Sequence, residues 1–308
     1  VLEKSGGGPT QPVGRVVLFN TNERGFSYSN FTSRIRVTNE ELLPTFLWLV
    51  LRDFYERGKT EKFQKQTSGI RNLDFNLYKE IQVPVPPITV QKEIVAEIES
   101  YRKIIDGARQ VVENYKPRID VDPAWEMVEL GSLAKINNGQ VLTEFDDNGS
   151  VACIKVSDMN IESNKYEIVT TNHWLKETSY SLLPLGTVLF PKRGAAIATN
   201  KKRITRIPCL IDNNCMGLIS NDIDTLLPEY LFYYLLGFDL TTISNSAGVA
   251  LINNGDISSV MIPLPDISVQ RAIAESLQKE RGFINSTLAL IGLYEQKIKD
   301  RIAKVWGE

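Results

Sequence analysis

The chain has 308 residues, of which 43% are hydrophobic and 23% are charged, a composition typical of a globular protein with about two domains. Its 35 Lys and Arg residues against 37 Asp and Glu residues give a net charge of −2. This value excludes a uniformly basic nucleic-acid-binding protein, so any contact with nucleic acid would depend on local clusters of basic residues. No apolar run reaches the roughly 18 residues of a membrane span, and Val1–Lys4 lacks the layout of a signal peptide.

Residues 1–87 carry alternating strand, turn and helix signals. Apolar and β-branched runs predict strands at Arg15–Phe19, Ile35–Val37 and Ile81–Val85. The apolar run Leu42–Leu51, which has a proline at its start, predicts a helix because proline suits the first helical turn. These signals indicate a small domain of the α+β class.

A proline-rich segment and the helix that follows it occur twice in the chain. Ile81–Ile94 matches Val260–Ile273, and Gln91 recurs as Gln270 at the constant spacing of 179 residues. Internal repeats of this kind identify duplicated structural units. Two similar units joined by long helices predict a protein that holds two similar targets at a fixed distance.

The second copy also repeats the earlier elements of the first. Gly186–Phe190 matches Gly14–Phe19 with one residue dropped, and Leu226–Leu235 matches the helix at Leu42–Leu51. The 61 residues from 125 to 185, which we call the front portion, have no counterpart before Gly14. We therefore expect the first domain to be truncated at its N-terminus or to be completed by something outside this chain.

The matches predict an α+β fold made of four segments. Residues 1–87 form a truncated first domain, residues 88–120 a first long helix, residues 121–266 a complete second domain and residues 267–308 a second long helix. The chain has to pass through the second domain between the two helices. A helix pair formed on its return is therefore antiparallel.

Both long helices carry apolar residues at alternating steps of three and four, which is the pattern of a coiled-coil seam. The apolar stripe is too narrow to be buried by one helix alone, so we expect the two helices to pair with each other. About 28 residues of helix span about 40 Å, close to the roughly 34 Å of one turn of DNA. The residues predicted to pair are Ile94, Ile98, Tyr101, Ile105, Ile273, Leu277, Ile284 and Ile291.

The order and duplication of these segments carry a family resemblance. Trp125–Ala134 opens the second domain, Ile154–Asp158 lies inside it, and the proline segment with its glutamine-bearing helix closes both domains. In this order the chain resembles the specificity subunits of type I restriction–modification systems. Tyr101–Ala108 also resembles polypeptides in which an adenine methyltransferase is fused ahead of the specificity region.

The resemblance implies a division of labour. Each target-recognition domain is expected to read one half of a split site in double-stranded DNA, and the helices are expected to set the spacing between the halves. The helices are also expected to dock methyltransferase subunits, with a restriction (nuclease) subunit in the full complex. The chain itself would need no cofactor, because S-adenosylmethionine is bound by the methyltransferase partner or by an upstream domain.

Local charge supplies the candidate DNA contacts. The stretch from Gly186 to Pro208 holds six basic residues and no acid, and such a loop can neutralise phosphates. A solvated basic loop without a DNA role is the alternative. The basic candidates are Lys192, Arg193, Lys201, Lys202, Arg203 and Arg206; the further candidates are Asn20, Arg24, Ser68, Arg71 and Ser246.

No catalytic or metal site is predicted. Asp122–Trp125 is similar to an amino-methyltransferase motif but has an alanine where that motif has its second proline, so a linker is expected there. Asp266 followed by Glu295 and Lys297 is similar to the motif of a metal-dependent nuclease. Glu295 and Lys297 lie on the second long helix, however, where such charges normally flank a coiled-coil seam. His173 has no nucleophile–acid arrangement around it, so a packing or surface role is expected.

The three cysteines, Cys153, Cys209 and Cys215, form no C-x-x-C pair. Buried, reduced cysteines in a cytoplasmic protein are expected from this number and spacing. Two rival functions remain open at this point. One is the tail of a fused adenine methyltransferase, and the other is a helical interaction scaffold that does not bind DNA.

Overall fold

The structure is a computed structural model that describes residues 1–8, 11–21, 23–67, 70–245 and 248–307. It divides into two compact units, one formed by Val1–Asn114 with Ile284–Glu308 and the other by Tyr115–Phe283. Each unit mixes helices and strands, as the α+β prediction requires. Within the described ranges no helix is long and apolar enough to cross a membrane.

The first unit contains few and short strands. Its elements are β1 (Leu2–Glu3), β2 (Ser5–Gly7), β3 (Thr32–Ser33), α1 (Pro44–Glu56), β4 (Gln64–Thr67), β5 (Ile70–Leu73), α2 (Phe75–Lys79) and α3 (Ile88–Asn114). β1 pairs with β3, and β2, β5 and β4 form a three-stranded antiparallel sheet. Phe46, Leu49 and Val50 bury one face of α1, because residues three and four apart lie on the same side of a helix.

Three strands predicted for the first unit are absent from the described structure. Arg15–Phe19 makes only an isolated bridge at Val16, and neither Ile35–Val37 nor Ile81–Val85 is a strand. The strand predictions were therefore wrong at these places, although the helix predicted at Leu42–Leu51 is confirmed as α1. The physical reason is the lack of neighbouring strands, since an apolar run becomes a strand only where backbone partners are available.

The second unit has a fuller set of elements. They are β6 (Met127–Glu129), α4 (Leu130–Leu133), β7 (Ala134–Asn137), β8 (Val151–Ile154), β9 (Glu167–Ile168), β10 (Trp174–Leu175), β11 (Val188–Pro191), β12 (Arg203–Thr205), β13 (Leu210–Ile211), β14 (Cys215–Ser220), α5 (Pro228–Gly237), α6 (Asn254–Ser258), β15 (Met261–Pro263) and α7 (Ile267–Val305). The main sheet has the order β7-β14-β11-β12-β9. Smaller sheets are β10-β8-β13 and β15-β6.

The core of the second unit lies between the main sheet and α5. Val188 and Phe190 in β11 are fully buried in this core, and Tyr230 on α5 is buried with its hydroxyl donating to the Pro263 carbonyl at 2.8 Å. Burying one large apolar side chain contributes about 1.5–3 kcal/mol. The three cysteines are free and buried, so the prediction of buried, unpaired thiols is confirmed.

A buried glutamine joins α3 to α1 in the first unit. The Gln91 Oε1 atom accepts from the Leu43 amide at 2.8 Å, and its Nε2 donates to the carbonyls of Glu41 and Pro86, both at 2.7 Å. The side chain is completely buried. One carboxamide therefore satisfies three backbone groups at the start of α1 and in the proline segment.

The second unit repeats this arrangement at Gln270. Its Oε1 accepts from the Leu227 amide, and its Nε2 donates to the carbonyls of Thr225 and Pro265, all at 2.9 Å. This side chain is also completely buried. We call Gln91 and Gln270 the glutamine clamps. They show that the duplication extends from sequence to hydrogen bonding.

Candidate DNA interface

The basic stretch between Gly186 and Pro208 is folded, so the expectation of a loop was wrong. β11 ends at Pro191, a 3₁₀ helix spans Gly194–Thr199, and β12 follows. Of its six basic residues, Arg193 is exposed and Lys201 is partly exposed. Lys201 donates to the side-chain oxygen of Asn160. The other four are also held by partners inside the protein, because the stretch runs through the main sheet.

Lys192 is buried at the end of the sheet. Its Nζ atom donates to the backbone carbonyl of Asn138 at 2.7 Å and to the Asn138 side-chain oxygen at 2.9 Å. Burial lowers the pKa of Lys192 from its ordinary value. The lysine therefore holds the turn at Asn138 in place and is not free to reach a phosphate.

Lys202 and Arg203 are also turned inward. Lys202 is completely buried and donates to the Asn200 side chain at 2.6 Å and to the Phe238 carbonyl. Arg203 donates to the carbonyls of Lys202 at 2.8 Å and Met159 at 2.7 Å. Burial lowers the pKa of Lys202 to about 8 and that of Arg203 to about 10. Both side chains satisfy backbone groups of the fold.

Arg206 is neutralised by two carboxylates. Its guanidinium lies 2.8 Å from Glu229 on α5 and 3.2 Å from Glu167 in β9. Arg281 on α7 also pairs with Glu167, at 2.9 Å. This network joins β9 and α5 of the second unit to α7, and it leaves Arg206 paired with two carboxylates inside the protein.

Arg193 lies beside the turn that follows α5. It forms a β-bridge with Leu251, which also bridges Asn245, and the next amide, Gly194, donates to the Ala250 carbonyl at 2.7 Å. Two stretches predicted to contact DNA are thus adjacent. Ser246, predicted in the same turn, lies outside the described residues.

Two exposed asparagines border the same region. The Asn138 side chain donates to the Asn254 side-chain oxygen at 2.7 Å, and Asn138 also accepts hydrogen bonds from the Lys192 ammonium group. Gly139 shapes this turn with a φ of +69°, and a Cβ there would lie 2.1 Å from the Asp212 carbonyl. We call Asn138, Arg193, Asn245 and Asn254 the arginine–asparagine surface. Sequence reasoning missed Asn138, although Asn137-Asn138-Gly139 carries a turn signal.

The candidates of the first unit are more scattered. Asn20 and Arg24 are exposed in a stretch without helix or strand. Arg71 is partly buried in β5, opposite Gln66 of β4. Ser68 lies outside the described residues. Polar amide and guanidinium groups of this kind can contact base edges or phosphates.

The predicted seam residues fall into two groups. Ile94 and Ile98 are buried in a cluster with Phe46 of α1 and Ile302 of α7, all within the first unit. Leu277, with Ile273 beside it, belongs instead to the core of the second unit. Of the remaining seam residues, Ile105 and Ile284 are buried, whereas Tyr101 and Ile291 are partly buried.

His173 has a structural role, as expected. Its Nδ1 atom lies 2.9 Å from the buried carboxylate of Asp158, which also accepts from the amides of Lys155 and Asn172. The pair fixes the loops around β8. In the part of the chain that is described, no group of three or more His, Cys, Asp or Glu residues could hold a metal ion.

Solved structures share this fold. A chain from a study of complex assembly and conformational transition in the type I R-M system matches with a TM-score of 0.58 at 20% identity, covering 85% of this chain and 70% of that one. The S subunit of a type I restriction–modification system from M. genitalium matches with a TM-score of 0.51 at 14% identity, covering 86% and 73%. At these identities the matches establish the fold alone.

Curated relatives are specificity subunits. The chain is 23% identical over 266 residues to the type I restriction enzyme MjaVIII specificity subunit of Methanocaldococcus jannaschii, covering 73% of this chain and 62% of the relative. It is 23% identical over 206 residues to the EcoR124I/EcoR124II specificity subunit of Escherichia coli, covering 63% and 49%. It therefore spans about half to two thirds of the length of these relatives.

A family profile matches most of the chain. The profile describes the type I restriction modification DNA specificity domain, and it matches residues 6–114 and 123–298. The two matched ranges correspond to the two repeats found in the sequence, one in each range. The chain therefore belongs to the type I restriction modification DNA specificity domain family.

Proposed function

We propose that this chain is the DNA-recognition subunit of a type I restriction–modification system. The observation that carries the proposal is the duplicated module, which closes in both units with the same glutamine clamp. Each module would read one half of a bipartite site in double-stranded DNA. Because that DNA lies in the cytoplasm, we place the chain there as well.

The chain would recognise DNA without doing chemistry on it. Partner methyltransferase subunits would bind S-adenosylmethionine, flip out an adenine in each half-site and methylate it, and a nuclease subunit would join the full complex. A module that only positions the duplex needs no cofactor of its own. The buried basic residues Lys192, Lys202 and Arg203 have hydrogen-bonding roles within the fold, so they too are assigned no chemistry.

The domain boundaries that we propose follow the repeat. Residues 1–87 and 121–266 are the first and second recognition domains, and residues 88–120 and 267–308 are the spacer helices. The starts of the two spacer helices are supported by Gln91 and Gln270. Each glutamine lies near the start of its helix, α3 or α7, and donates a hydrogen bond to the domain that precedes the helix.

The spacer helices are proposed to pair as an antiparallel coiled coil. Contacts within the first unit support this, since Glu97 of α3 pairs with Arg301 of α7 at 2.8 Å and the rings of Tyr101 and Tyr294 lie 5.2 Å apart. Lower-numbered residues of α3 thus meet higher-numbered residues of α7. The 27 residues of α3 span about 40 Å, which suits a spacer of about one DNA turn.

The side chains proposed to contact DNA in the second unit are Arg193 and Lys201, together with Asn245 and Asn254 of the arginine–asparagine surface. Arg193 can read a guanine edge or a phosphate, whereas asparagine can pair with adenine. Asn20, Arg24 and Arg71 are the proposed contacts in the first unit. Ser68 and Ser246 stay predictions.

A gel-shift titration at two salt concentrations tests this assignment. Replacing Arg193 and Lys201 with Ala should weaken DNA binding at low salt and reduce the salt slope by about one to two, because each lost phosphate contact removes about one released counterion. Lys279→Ala on α7 is the matched control, since Lys279 is exposed and lies outside the arginine–asparagine surface. Unchanged binding in the folded double variant would refute Arg193 and Lys201 as DNA contacts. A wild-type chain with no DNA affinity at low salt would favour a helical scaffold.

A further inference from the structure

A series of side-chain hydrogen bonds runs from the interior of the second unit to its surface. It begins at the buried Lys192 ammonium group, which donates to the Asn138 Oδ1 atom at 2.9 Å. The Asn138 Nδ2 atom then donates to the Asn254 Oδ1 atom at 2.7 Å. Both asparagines are exposed. We call Lys192, Asn138 and Asn254 the polar relay, because each member orients the next.

The lysine sets the direction of the polar relay. An ammonium group can donate hydrogen bonds but cannot accept them. The Asn138 atom that faces Lys192 must therefore be the oxygen, which leaves the Nδ2 atom of Asn138 to face Asn254. Asn254 must in turn offer its oxygen to Asn138. In the described part of the chain the Asn254 Nδ2 atom has no acceptor, so the polar relay ends in a donor at the surface.

The backbone around the polar relay is held in place. Next to Asn138, the Gly139 amide donates to the Asn137 side-chain oxygen at 2.9 Å. On the other side, the Ile252 amide donates to the Lys192 carbonyl at 2.9 Å. The exposed donor therefore stands on turns that are fixed before any ligand binds, and a prearranged group loses little conformational freedom on binding.

The exposed end of the polar relay matches one purine better than the other. Asn254 presents a donor at Nδ2, and its Oδ1 atom keeps one lone pair, because a carboxamide oxygen can accept two hydrogen bonds. Adenine offers the complement in the major groove, with an N7 acceptor beside an N6 donor, whereas guanine offers two acceptors there. A guanine O6 atom would face the Asn254 oxygen without a proton between them. The fixed orientation therefore favours adenine over guanine.

The residues beside the polar relay suit a nucleic-acid partner. Arg193 directly follows Lys192 and is exposed. Val249 is 72% exposed, and a Cβ at Gly194 would lie 4.0 Å from its Cγ1 atom. A guanidinium can bind a phosphate or a guanine edge, and an apolar side chain can contact the methyl group of thymine. A donor of fixed orientation thus lies next to groups that can hold a duplex against it.

We propose that Lys192 is a positioning residue for DNA recognition, which orients Asn138 and Asn254 so that Asn254 reads an adenine that stays paired in the duplex. The inference rests on the proposed function, since it assigns to that function one base and the residue that reads it. Asn138 contacts no base and transmits the orientation. Without the lysine, both carboxamides could turn by about 180° and present either atom to the DNA.

Selection from a pool of randomised DNA duplexes, with sequencing of the bound fraction, tests the inference on the whole chain. The wild type should enrich adenine over guanine at one position by about 5- to 150-fold, the discrimination of a bidentate pair. Lys192→Met removes the donor and should lower this preference about fivefold or more, while the other positions keep theirs. Lys202→Met is the matched control, because Lys202 is also buried but donates to Asn200 and Phe238 instead.

A second variant reverses the direction of the polar relay. Asn138→Asp still accepts from Lys192 but can no longer donate to Asn254. Asn254 should then turn, donate its Nδ2 atom to the new carboxylate and present its oxygen to the DNA. An outward acceptor suits the N4 donor of cytosine, so enrichment at this position should shift from adenine toward cytosine. Because this variant keeps Lys192, it tests the inference even if Lys192→Met fails to fold.

Nuclear magnetic resonance of the free protein tests the orientation without DNA. In the wild type, the side-chain amide of Asn138 should exchange hydrogen more slowly than that of Asn254, because only the Asn138 amide is donated within the protein. In Asn138→Asp the Asn254 amide becomes the donor, so its exchange should become slower than in the wild type.

Four results would overturn the inference. These are an unchanged adenine preference in folded Lys192→Met, the same loss of preference in Lys202→Met, an adenine preference that persists in Asn138→Asp, and an Asn138 amide that exchanges no more slowly than that of Asn254. A wild-type chain that selects no sequence would contradict the proposed function, and this inference with it. A chain that selects a split sequence but gives one of the four results contradicts this inference alone.

Discussion

A carboxamide can accept and donate at once, and the glutamine clamps use this capacity fully. Each of them satisfies one amide at the start of a helix and two carbonyls in neighbouring loops. The sequence repeat identified both glutamines, but not their role. Their partners lie 43 to 50 residues away for the helix and loop contacts, and only the folded chain brings them together.

Removing a glutamine clamp should destabilise its unit. Gln270→Met keeps the side-chain volume and leaves the Leu227 amide and two carbonyls without their partner, and unpaired buried groups cost about 1–3 kcal/mol. Urea unfolding followed by circular dichroism measures the change. Gln278→Met is the matched control, because Gln278 is exposed on the same helix and its loss should be nearly neutral. Equal effects from the two variants would refute the role of the clamp.

The buried Lys202 predicts a pH dependence. Its folded pKa of about 8 is below the ordinary 10.5, so between these values the unfolded chain binds the proton and the folded chain does not. Stability contributed by this group therefore rises with pH across that window. The free energy of unfolding of the wild type, relative to Lys202→Met, should increase by about 2–3 kcal/mol from pH 8 to pH 10. A difference that is constant with pH would contradict the assignment.

The charge pattern illustrates a limit of sequence reasoning at this scale. Six basic residues without an acid indicated an exposed loop that could contact DNA, yet Lys192, Lys202 and Arg203 are buried. Their charged groups donate to backbone carbonyls and to the side-chain oxygens of Asn138 and Asn200. Every residue has a backbone carbonyl, so most of these partners leave no mark in the sequence. Arg193 is the exposed member of the set, and its contact with DNA stays a prediction.

At the scale of elements, periodic patterns predicted the helices well and the strands poorly. The helix at Leu42 and the two long helices are present as α1, α3 and α7. A helix makes its backbone hydrogen bonds within itself, so a local pattern is sufficient to identify it. Strands need a neighbour, and Arg15–Phe19 has the pattern of β11 without the neighbouring strands of β11.

The contact between α3 and α7 in the first unit predicts unequal effects along α3. Ile98 is completely buried in the cluster that contains Ile302, so Ile98→Ala should cost about 2–4 kcal/mol of stability. Ile104 lies on the same helix but is 38% exposed, and Ile104→Ala should cost less than about 1 kcal/mol. Chemical unfolding of the two variants gives the comparison. A loss at Ile98 no larger than that at Ile104 would remove the support for helix pairing.

At the scale of the whole molecule, duplication is the feature from which the proposed function follows. A single recognition module reads one short sequence, whereas two modules joined by long helices can read two sequences at a set separation. Both modules of this chain carry the glutamine clamp, and α7 has 39 residues, about 58 Å of helix. The account therefore predicts a split target whose spacer is fixed by the helices.

A genome-wide map of methylated adenines in the source organism, with and without this gene, tests that claim most directly. The account predicts a gene-dependent motif in two halves, with one methylated adenine in each half and a spacer of constant length. An uninterrupted motif, a spacer of variable length, or a methylation pattern that survives deletion of the gene would contradict it.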